Sequence, residues 1–159
     1  MKRGAIRVEE AYAQGKMLES SSWVLPRNIT PSDIDLVFDD GVNEVVVFCE
    51  FSSQVTNWTD VAYGQFLLYQ AVIRDSANLA CLCKHSVPTS SVIDTKNDVD
   101  SFQVMFCSEG WYYVSPEYPG RWWGDFVERV FNGDKLDKMR ASSRKLPRVT
   151  GASDGKDSD

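Results

Sequence analysis

The chain lacks the features that would assign it to a membrane, a repeat scaffold or a nucleotide-hydrolysing enzyme. No apolar run in its 159 residues approaches the length of about 20 residues that a membrane-spanning helix needs. The sequence contains no glycine-rich phosphate loop, no dinucleotide fingerprint and no internal repeat. Its N-terminus does not resemble a secretory signal. We therefore expect a cytoplasmic protein without a membrane partner.

The chain has a single histidine and a negative net charge. The single histidine, His85, cannot by itself form a zinc site or a catalytic triad. The formal net charge is -6, whereas nucleic-acid-binding proteins usually carry a basic footprint. Basic residues are concentrated near the C-terminus. Residues 135–148 contain one acid, Asp137, and six basic residues: Lys135, Lys138, Arg140, Arg144, Lys145 and Arg148. This segment is either a weak candidate for nucleic-acid contact, through Lys135, Lys138 and Arg140, or a solvated helix end.

Cysteine use argues against a metal cluster built on thiolates. The four cysteines fit neither zinc nor iron–sulfur spacing, and they lie in apolar stretches: Cys49, Cys81, Cys83 and Cys107. We expect them to be reduced and buried as small hydrophobic residues.

The composition predicts one folded domain. A hydrophobic content of 43% and an aromatic content of 12% are typical of a globular protein of this length. We predict that residues 1–140 form the domain. Residues 141–159 are basic at first, then small and polar, and are expected to form a disordered tail.

The most informative stretch runs from residue 31 to residue 70 and predicts strand, tight turn, strand and helix. Apolar residues alternate with aspartates from Asp33 to Asp39, the period of a strand with one polar face. Asp40-Gly41 is typical of a turn between strands. The Val-rich run from Val45 to Cys49 predicts a strand buried on both faces. Glu50 follows it, and a charge at such a position needs a partner.

The spacing of two acids indicates a cation site. If the two strands pair as a hairpin, Asp35 and Glu50 come to lie close together. Neighbouring carboxylates repel each other, and a divalent cation relieves this repulsion. Asp33 competes with Asp35, but Asp35 directly precedes the apolar Leu36 and is preferred. A Mg²⁺ ion held there can polarise a phosphodiester and activate water.

These motifs resemble the core of the PD-(D/E)XK (restriction-endonuclease-like) nuclease superfamily. In that superfamily an acid begins one strand, here Asp35, and an acid-x-Lys tripeptide lies on the next, here Glu50-Phe51-Ser52. Gln65 and Tyr69 match the QxxxY motif of the RecB-like branch and fall on one helix face. The resemblance extends over about residues 5–85.

The chain departs from the family at the lysine position, which is Ser52. A serine cannot supply the positive charge of the family lysine. Some members of the superfamily supply this lysine from a neighbouring element. Lys16 and Lys84 are the candidates for that role here, and both are also weak candidates for nucleic-acid contact.

The resemblance implies a single α/β domain, a mixed central sheet flanked by helices with an αβββαβ core. It implies a metal-dependent nuclease that hydrolyses DNA and uses Mg²⁺ or Mn²⁺. The implied metal ligands are Asp35, Glu50, the Phe51 carbonyl and, from a first helix over residues 4–18, Glu9. Gln65 and Tyr69 are implied to orient water and phosphate.

The alternative is a catalytically inactive domain of the same fold that binds nucleic acid or a protein partner. Ser52 and the negative net charge favour this alternative. Either function is compatible with assembly into a homodimer or a larger complex.

The remaining sequence predicts further elements of the sheet. We predict a helix over residues 59–76, a strand over 78–84, a strand pair over 102–106 and 111–114, and a last helix over 124–131 that can extend to 139. An aromatic cluster suggests either base stacking or packing of a helix against the sheet: Trp111, Tyr112, Tyr113, Tyr118, Trp122 and Trp123.

Overall fold

A seven-stranded mixed sheet with three α-helices makes up the part of the chain that the computed structural model describes, residues 34–148. The strands are β1 (Leu36–Phe38), β2 (Val47–Ser52), β3 (Leu79–Lys84), β4 (Ser101–Ser108), β5 (Trp111–Val114), β6 (Tyr118–Pro119) and β7 (Arg144–Lys145). The helices are α1 (Tyr63–Ile73), α2 (Trp123–Phe131) and α3 (Asp137–Ser142), with short 3₁₀ turns at Trp58–Asp60 and Gly120–Trp122. The predicted α/β class is confirmed.

The strand order is β1-β2-β3-β4-β5-β7, and β6 pairs with the N-terminal end of β4. Only β2 and β3 run parallel among these pairs. A parallel pair needs a crossover connection, and α1 supplies it between β2 and β3. Because α1 connects β2 to β3, it is the helix that packs beside Cys49 and Glu50 of β2.

The predicted hairpin of β1 and β2 is present, with Leu36 opposite Cys49 and Phe38 opposite Val47. Its connection, residues 39–46, is longer than the predicted tight turn. The Asp40 carboxylate accepts the backbone N–H groups of Val42 and Asn43, and Gly41 takes φ +70°. These side-chain contacts stabilise a loop in place of a continuous ladder.

The other predicted strands are also confirmed. Five of the six residues of β3 are buried, as expected of a central strand. β4 and β5 form a hairpin around Glu109 (φ +51°) and Gly110 (φ +77°), the left-handed pair that a tight hairpin turn requires.

The two faces of the sheet are covered by different helices. On one face, Cys49, Cys81 and Phe102 belong to a core that includes Phe126 of α2 and Met139 of α3. We call this the α2/α3 face. On the other face, the α1 face, a second core contains the following residues: Ala80, Leu82, Met105, Val114, Trp58, Tyr69 and Ile73.

The cysteines are buried as predicted, and Trp123 packs in the core. All four cysteines are free and buried, and burial raises the pKa of Cys81 and Cys83. The Trp123 ring is 1% exposed and lies 5.2 Å from the Phe102 ring, so it packs a helix against the sheet. Trp122, in contrast, is 49% exposed.

Two helix boundaries differ from the prediction. The segment 59–76 begins with the 3₁₀ turn, and the extended backbone of Val61 and Ala62 (ψ 144° and 136°) separates that turn from α1. The last helix ends at Phe131, because Gly133 takes φ +76° before α3 begins. Within residues 34–148, no helix combines the length and the apolar character needed to cross a membrane.

The ordered domain extends past residue 140, where the sequence predicts that it ends. β7 pairs with β5, and Leu146 is 4% exposed in the α1-face core. Burial of a leucine stabilises by about 2 kcal/mol, which keeps this segment on the sheet. The predicted first helix, residues 4–18, and the end of the predicted tail, residues 149–159, lie outside the described residues.

Gly120 provides a test of this packing. A Cβ atom there would overlap the backbone carbonyl of Val99, so the Gly120→Ala variant should lose about 1–3 kcal/mol of stability or more. Gly64, in the first turn of α1, is the matched control, because an added Cβ meets nothing within 4 Å. Gly64→Ala should keep or raise the melting temperature. Equal melting temperatures for the two variants in calorimetry would contradict the described packing.

Candidate active site

Glu50 projects from β2 on the α1 face, beside two polar side chains of α1. Its Oε2 atom accepts a hydrogen bond from Gln65 Nε2 at 2.8 Å and lies 2.8 Å from the Tyr69 hydroxyl oxygen. Gln65 and Tyr69 are one helical turn apart, so both reach the same carboxylate oxygen. The predicted clustering of these three residues is therefore observed.

Asp35 approaches β2 from the position directly before β1. Its Oδ2 atom accepts the backbone N–H of Phe51 at 2.8 Å. Extending the β1–β2 register by one residue from the Leu36–Cys49 pair puts Asp35 opposite Glu50. Asp35 itself lies in a bend directly before β1, and its hydrogen bond with the Phe51 N–H brings its carboxylate to the residue that follows Glu50. Each also has further interactions within the chain.

Tyr69 is the most deeply buried member of the group, with 0% of its surface exposed. Its hydroxyl lies 2.8 Å from the Cys49 carbonyl oxygen as well as from Glu50, so its one proton is shared between two acceptors. Burial raises the pKa of Tyr69 well above its usual range. The charge of Glu50, the hydrogen bond to Glu50 and the charge of Asp35 raise it further. Tyr69 therefore stays protonated and acts as a hydrogen-bond donor.

Ser52 and Lys84 lie side by side at the end of the parallel strand pair. They are partners in the β2–β3 register, and partners in parallel strands point to the same face. Lys84 is thus on the α1 face, as is Glu50, and it is half-buried. The Ser52 hydroxyl accepts the N–H groups of Gln54 and Val55 at 3.2 and 3.1 Å, which closes the turn after β2.

Other predicted site residues are not brought to this group. Lys135 lies in the loop before α3, and Lys138 and Arg140 lie on α3, which covers the opposite face of the sheet. Glu9, Lys16 and Asp33 lie outside the described residues. Phe51 is present at the site through its N–H, and its carbonyl remains a predicted ligand.

The donor chemistry of the pair suits a hard divalent cation. Mg²⁺ is commonly held by one or two protein carboxylates together with water and phosphate oxygens, and Asp35 and Glu50 supply two. Within residues 34–148, no group of three or more carboxylate, histidine or cysteine side chains is arranged to hold a metal ion. Glu9, the further ligand predicted from the sequence, lies outside the described residues.

Two features of the site are not anticipated by the sequence analysis. The contact of Tyr69 with the Cys49 carbonyl depends on how α1 docks on β2 and has no local signal. The turn closed by Ser52 does have one, because a serine hydroxyl often binds the N–H groups two and three residues later.

Comparison of the chain with models of protein families, with curated proteins and with solved structures finds no match. The chemistry of the site therefore has to be argued from its own geometry.

Removal of the Tyr69 hydroxyl tests the hydrogen bonds and the raised pKa together. Tyr69→Phe should lose about 1–3 kcal/mol of stability at neutral pH, because Glu50 loses a buried donor. The pKa of Tyr69 is higher in the folded wild type than in the unfolded chain. Its contribution to the free energy of unfolding is therefore fully present below about pH 10, where the unfolded tyrosine begins to ionise, and is lost as the pH rises further. Tyr69→Phe has no such ionisation, so the difference in the free energy of unfolding between wild type and variant should become smaller as the pH rises. We call this difference the gap.

Denaturant unfolding between about pH 7 and about pH 11 measures this gap. Tyr63→Phe, on the exposed first turn of the same helix, controls for removal of one hydroxyl. A gap between wild type and Tyr69→Phe that stays constant over the alkaline range would contradict a raised pKa for Tyr69.

Proposed function

We propose that this protein is a metal-dependent nuclease that hydrolyses DNA phosphodiester bonds at the group formed by Asp35, Glu50, Gln65 and Tyr69. One observation carries the proposal. Residues that the PD-(D/E)XK resemblance selects from the sequence alone, spread from position 35 to position 69, meet around one carboxylate oxygen and its neighbouring strand. Packing alone does not require that these particular four side chains meet.

The order of elements supports the restriction-endonuclease-like fold as part of the proposal. β1 and β2 are antiparallel, β2 and β3 are parallel, and α1 connects the parallel pair. This is the arrangement that the resemblance implies for the later elements of the αβββαβ core. The part of the core that the resemblance assigns to a first helix and a first strand lies outside the described residues.

Asp35 and Glu50 would hold Mg²⁺ or Mn²⁺, with the Phe51 carbonyl and Glu9 as further proposed ligands. A bound divalent ion supplies Lewis-acid activation of the phosphodiester. Gln65 and Tyr69 donate hydrogen bonds to Glu50, so they fix the direction of its carboxylate. Tyr69 is suited to this task because it stays protonated at any physiological pH.

Lys84 would supply the positive charge that Ser52 lacks. It is the register partner of Ser52 on β3 and shares a sheet face with Glu50. An ammonium group there would stabilise the negative charge that develops on a phosphate during hydrolysis. The charge would thus come from the neighbouring strand.

The alternative, a catalytically inactive domain that binds nucleic acid or a protein, is favoured by one observation. The Ser52 hydroxyl is used by two backbone N–H groups of its own turn, so this position has a structural task. The alternative predicts that Asp35 and Glu50 bind no metal ion.

Calorimetric titration with Mn²⁺ separates the two. The wild type should bind the ion, and an Asp35→Asn, Glu50→Gln double variant should not, although the amide oxygens can still accept the hydrogen bonds of Phe51 and Gln65. Glu117→Gln removes an exposed acid away from the site and should bind as the wild type does. Cleavage of single-stranded DNA, duplex DNA and RNA is followed in parallel. Absence of metal binding in the wild type would contradict the proposed function.

A second test concerns Lys84. Lys84→Met should lower the rate of DNA cleavage by about 10²-fold or more, because the transition state loses one charge partner, while Mn²⁺ affinity is kept. Adding Ser52→Lys to this variant should restore part of the rate, and Ser52→Ala controls for loss of the turn contacts. A Lys84→Met variant that cleaves as fast as the wild type would exclude Lys84 from this role.

A further inference from the structure

Three cations lie over aromatic rings at one corner of the α2/α3 face. The Lys145 Nζ atom is 3.4 Å and the Arg148 Cζ atom 4.1 Å from the centroid of the Trp111 ring. The Arg140 Cζ atom is 4.8 Å from the centroid of the Phe106 ring. We call these five residues the cation–aromatic surface.

The pairing of β5 with β7 and the stacking of Tyr113 on Phe106 position the residues of this surface. Tyr113 of β5 pairs with Lys145 of β7, and its ring stacks on Phe106 of β4 at 5.4 Å with an interplanar angle of 10°. Trp111 projects from β5 on the same face as Tyr113, two residues away. The buried Leu146 donates its N–H to the Tyr112 carbonyl at 2.8 Å, which fixes the chain that carries the cations.

Among the described residues, the partners of the three cations are aromatic rings and not acids. Within the described part of the chain, the ion pairs are made by Arg129 with Asp125 and Asp134, and none involves Arg140, Lys145 or Arg148. All three side chains are exposed. A cation over a ring keeps its full charge and can still donate hydrogen bonds at its outer edge.

Positive charge is concentrated in this part of an otherwise acidic protein. Residues 138–148 contain five basic residues and no acid, while the whole chain has a formal net charge of -6. A charged ligand approaching the protein therefore meets a local positive potential at this corner. A ligand that carries several closely spaced negative charges fits best, because two cations converge on one ring.

The surface is separate from the candidate active site. Trp111 pairs with Ser108 at the C-terminal end of β4, whereas Lys84 pairs with Ser101 at the other end of the same strand. The cations lie on the α2/α3 face, and Glu50 lies on the α1 face. A ligand at the cation–aromatic surface would not touch the carboxylates.

We infer that the cation–aromatic surface binds the phosphate backbone of a nucleic acid strand at a distance from the active site. The choice of a nucleic acid among polyanions rests on the proposed function. A membrane is disfavoured, because the exposed large hydrophobic residues of the described chain include no member of the surface: Val37, Val42, Tyr63, Leu67, Val92 and Trp122. Binding through cations that contact phosphates makes the contact independent of sequence.

The test is fluorescence anisotropy of a labelled single-stranded oligonucleotide, titrated with protein in EDTA over a series of salt concentrations. Each phosphate-contacting cation contributes about 0.7 to the slope of log K against log salt for a single strand. The Arg140→Gln, Lys145→Gln, Arg148→Gln triple variant should therefore lose about 2 units of slope. Circular dichroism checks that the triple variant is folded.

A matched pair of single variants refines the test. Arg144 and Lys145 are neighbours in β7, but Arg144 pairs with Val114, whose side chain lies on the α1 face. Lys145→Gln should lower the slope by about 0.7, and Arg144→Gln should leave it unchanged. Equal slopes for the wild type, Lys145→Gln and the triple variant would overturn the inference.

Competition identifies the class of ligand. Poly-glutamate or anionic vesicles that displace the oligonucleotide at equal charge concentration would overturn the assignment to nucleic acid. Glu117→Gln, which changes an exposed acid away from the surface, should bind the oligonucleotide as the wild type does in EDTA. If neither the wild type nor any variant cleaves nucleic acid but the salt slopes differ as expected, the nuclease proposal fails and this inference stands. If the wild type cleaves nucleic acid and the triple variant binds the oligonucleotide with the wild-type slope, the nuclease proposal stands and this inference fails.

Discussion

The carboxylate of Glu50 in the middle of a mostly apolar strand is the constraint on which the arrangement around it depends. A charge beside buried residues is costly unless donors satisfy it, and α1 supplies two through Gln65 and Tyr69. The Tyr69 hydroxyl also contacts the Cys49 carbonyl, which ties the helix to the backbone of β2. Helix docking and carboxylate position are therefore coupled, and a shift of α1 would disturb both.

This coupling explains why a polar group persists next to an apolar core. The ring of Tyr69 packs in that core, 4.9 Å from the ring of Trp58, while its hydroxyl meets Glu50. One residue thus satisfies an apolar and a polar requirement at once. Asp35 brings a second carboxylate to this part of β2 through its hydrogen bond with the Phe51 N–H.

Much of this arrangement is readable in the sequence, because it depends on local periodicity. The Val-rich run before Glu50 predicts a strand, and the four-residue spacing of Gln65 and Tyr69 predicts a shared helix face. The observed strand begins at Val47 and includes Glu50, and only Val47 and Cys49 of its six residues are fully buried, so the predicted bounds and the burial on both faces are wrong. The features that are not readable depend on distant contacts. The strand β7 exists because Leu146 is buried against residues far away in the chain, and a segment rich in basic residues gives no local sign of this.

The proximity of Lys84 to Ser52 is only partly readable from the sequence. The sequence places both residues at strand ends, but only the parallel register makes them partners. The same register argument separates the cations of β7, since Lys145 and Arg144 point to opposite faces although they are adjacent. Catalysis and nucleic-acid binding would thus occupy different faces of one sheet, which allows a protein of negative net charge to hold a polyanion.

The central claim is that Asp35 and Glu50 act as one cation site. The most direct measurement is a crystal structure of the wild type grown with Mn²⁺, with diffraction recorded to locate the anomalous signal of the ion. We expect an anomalous peak in direct contact with oxygen atoms of both Asp35 and Glu50, with the Gln65 and Tyr69 hydrogen bonds to Glu50 retained. A well-ordered site without such a peak, at an ion concentration that saturates ordinary Mg²⁺ enzymes, would contradict it.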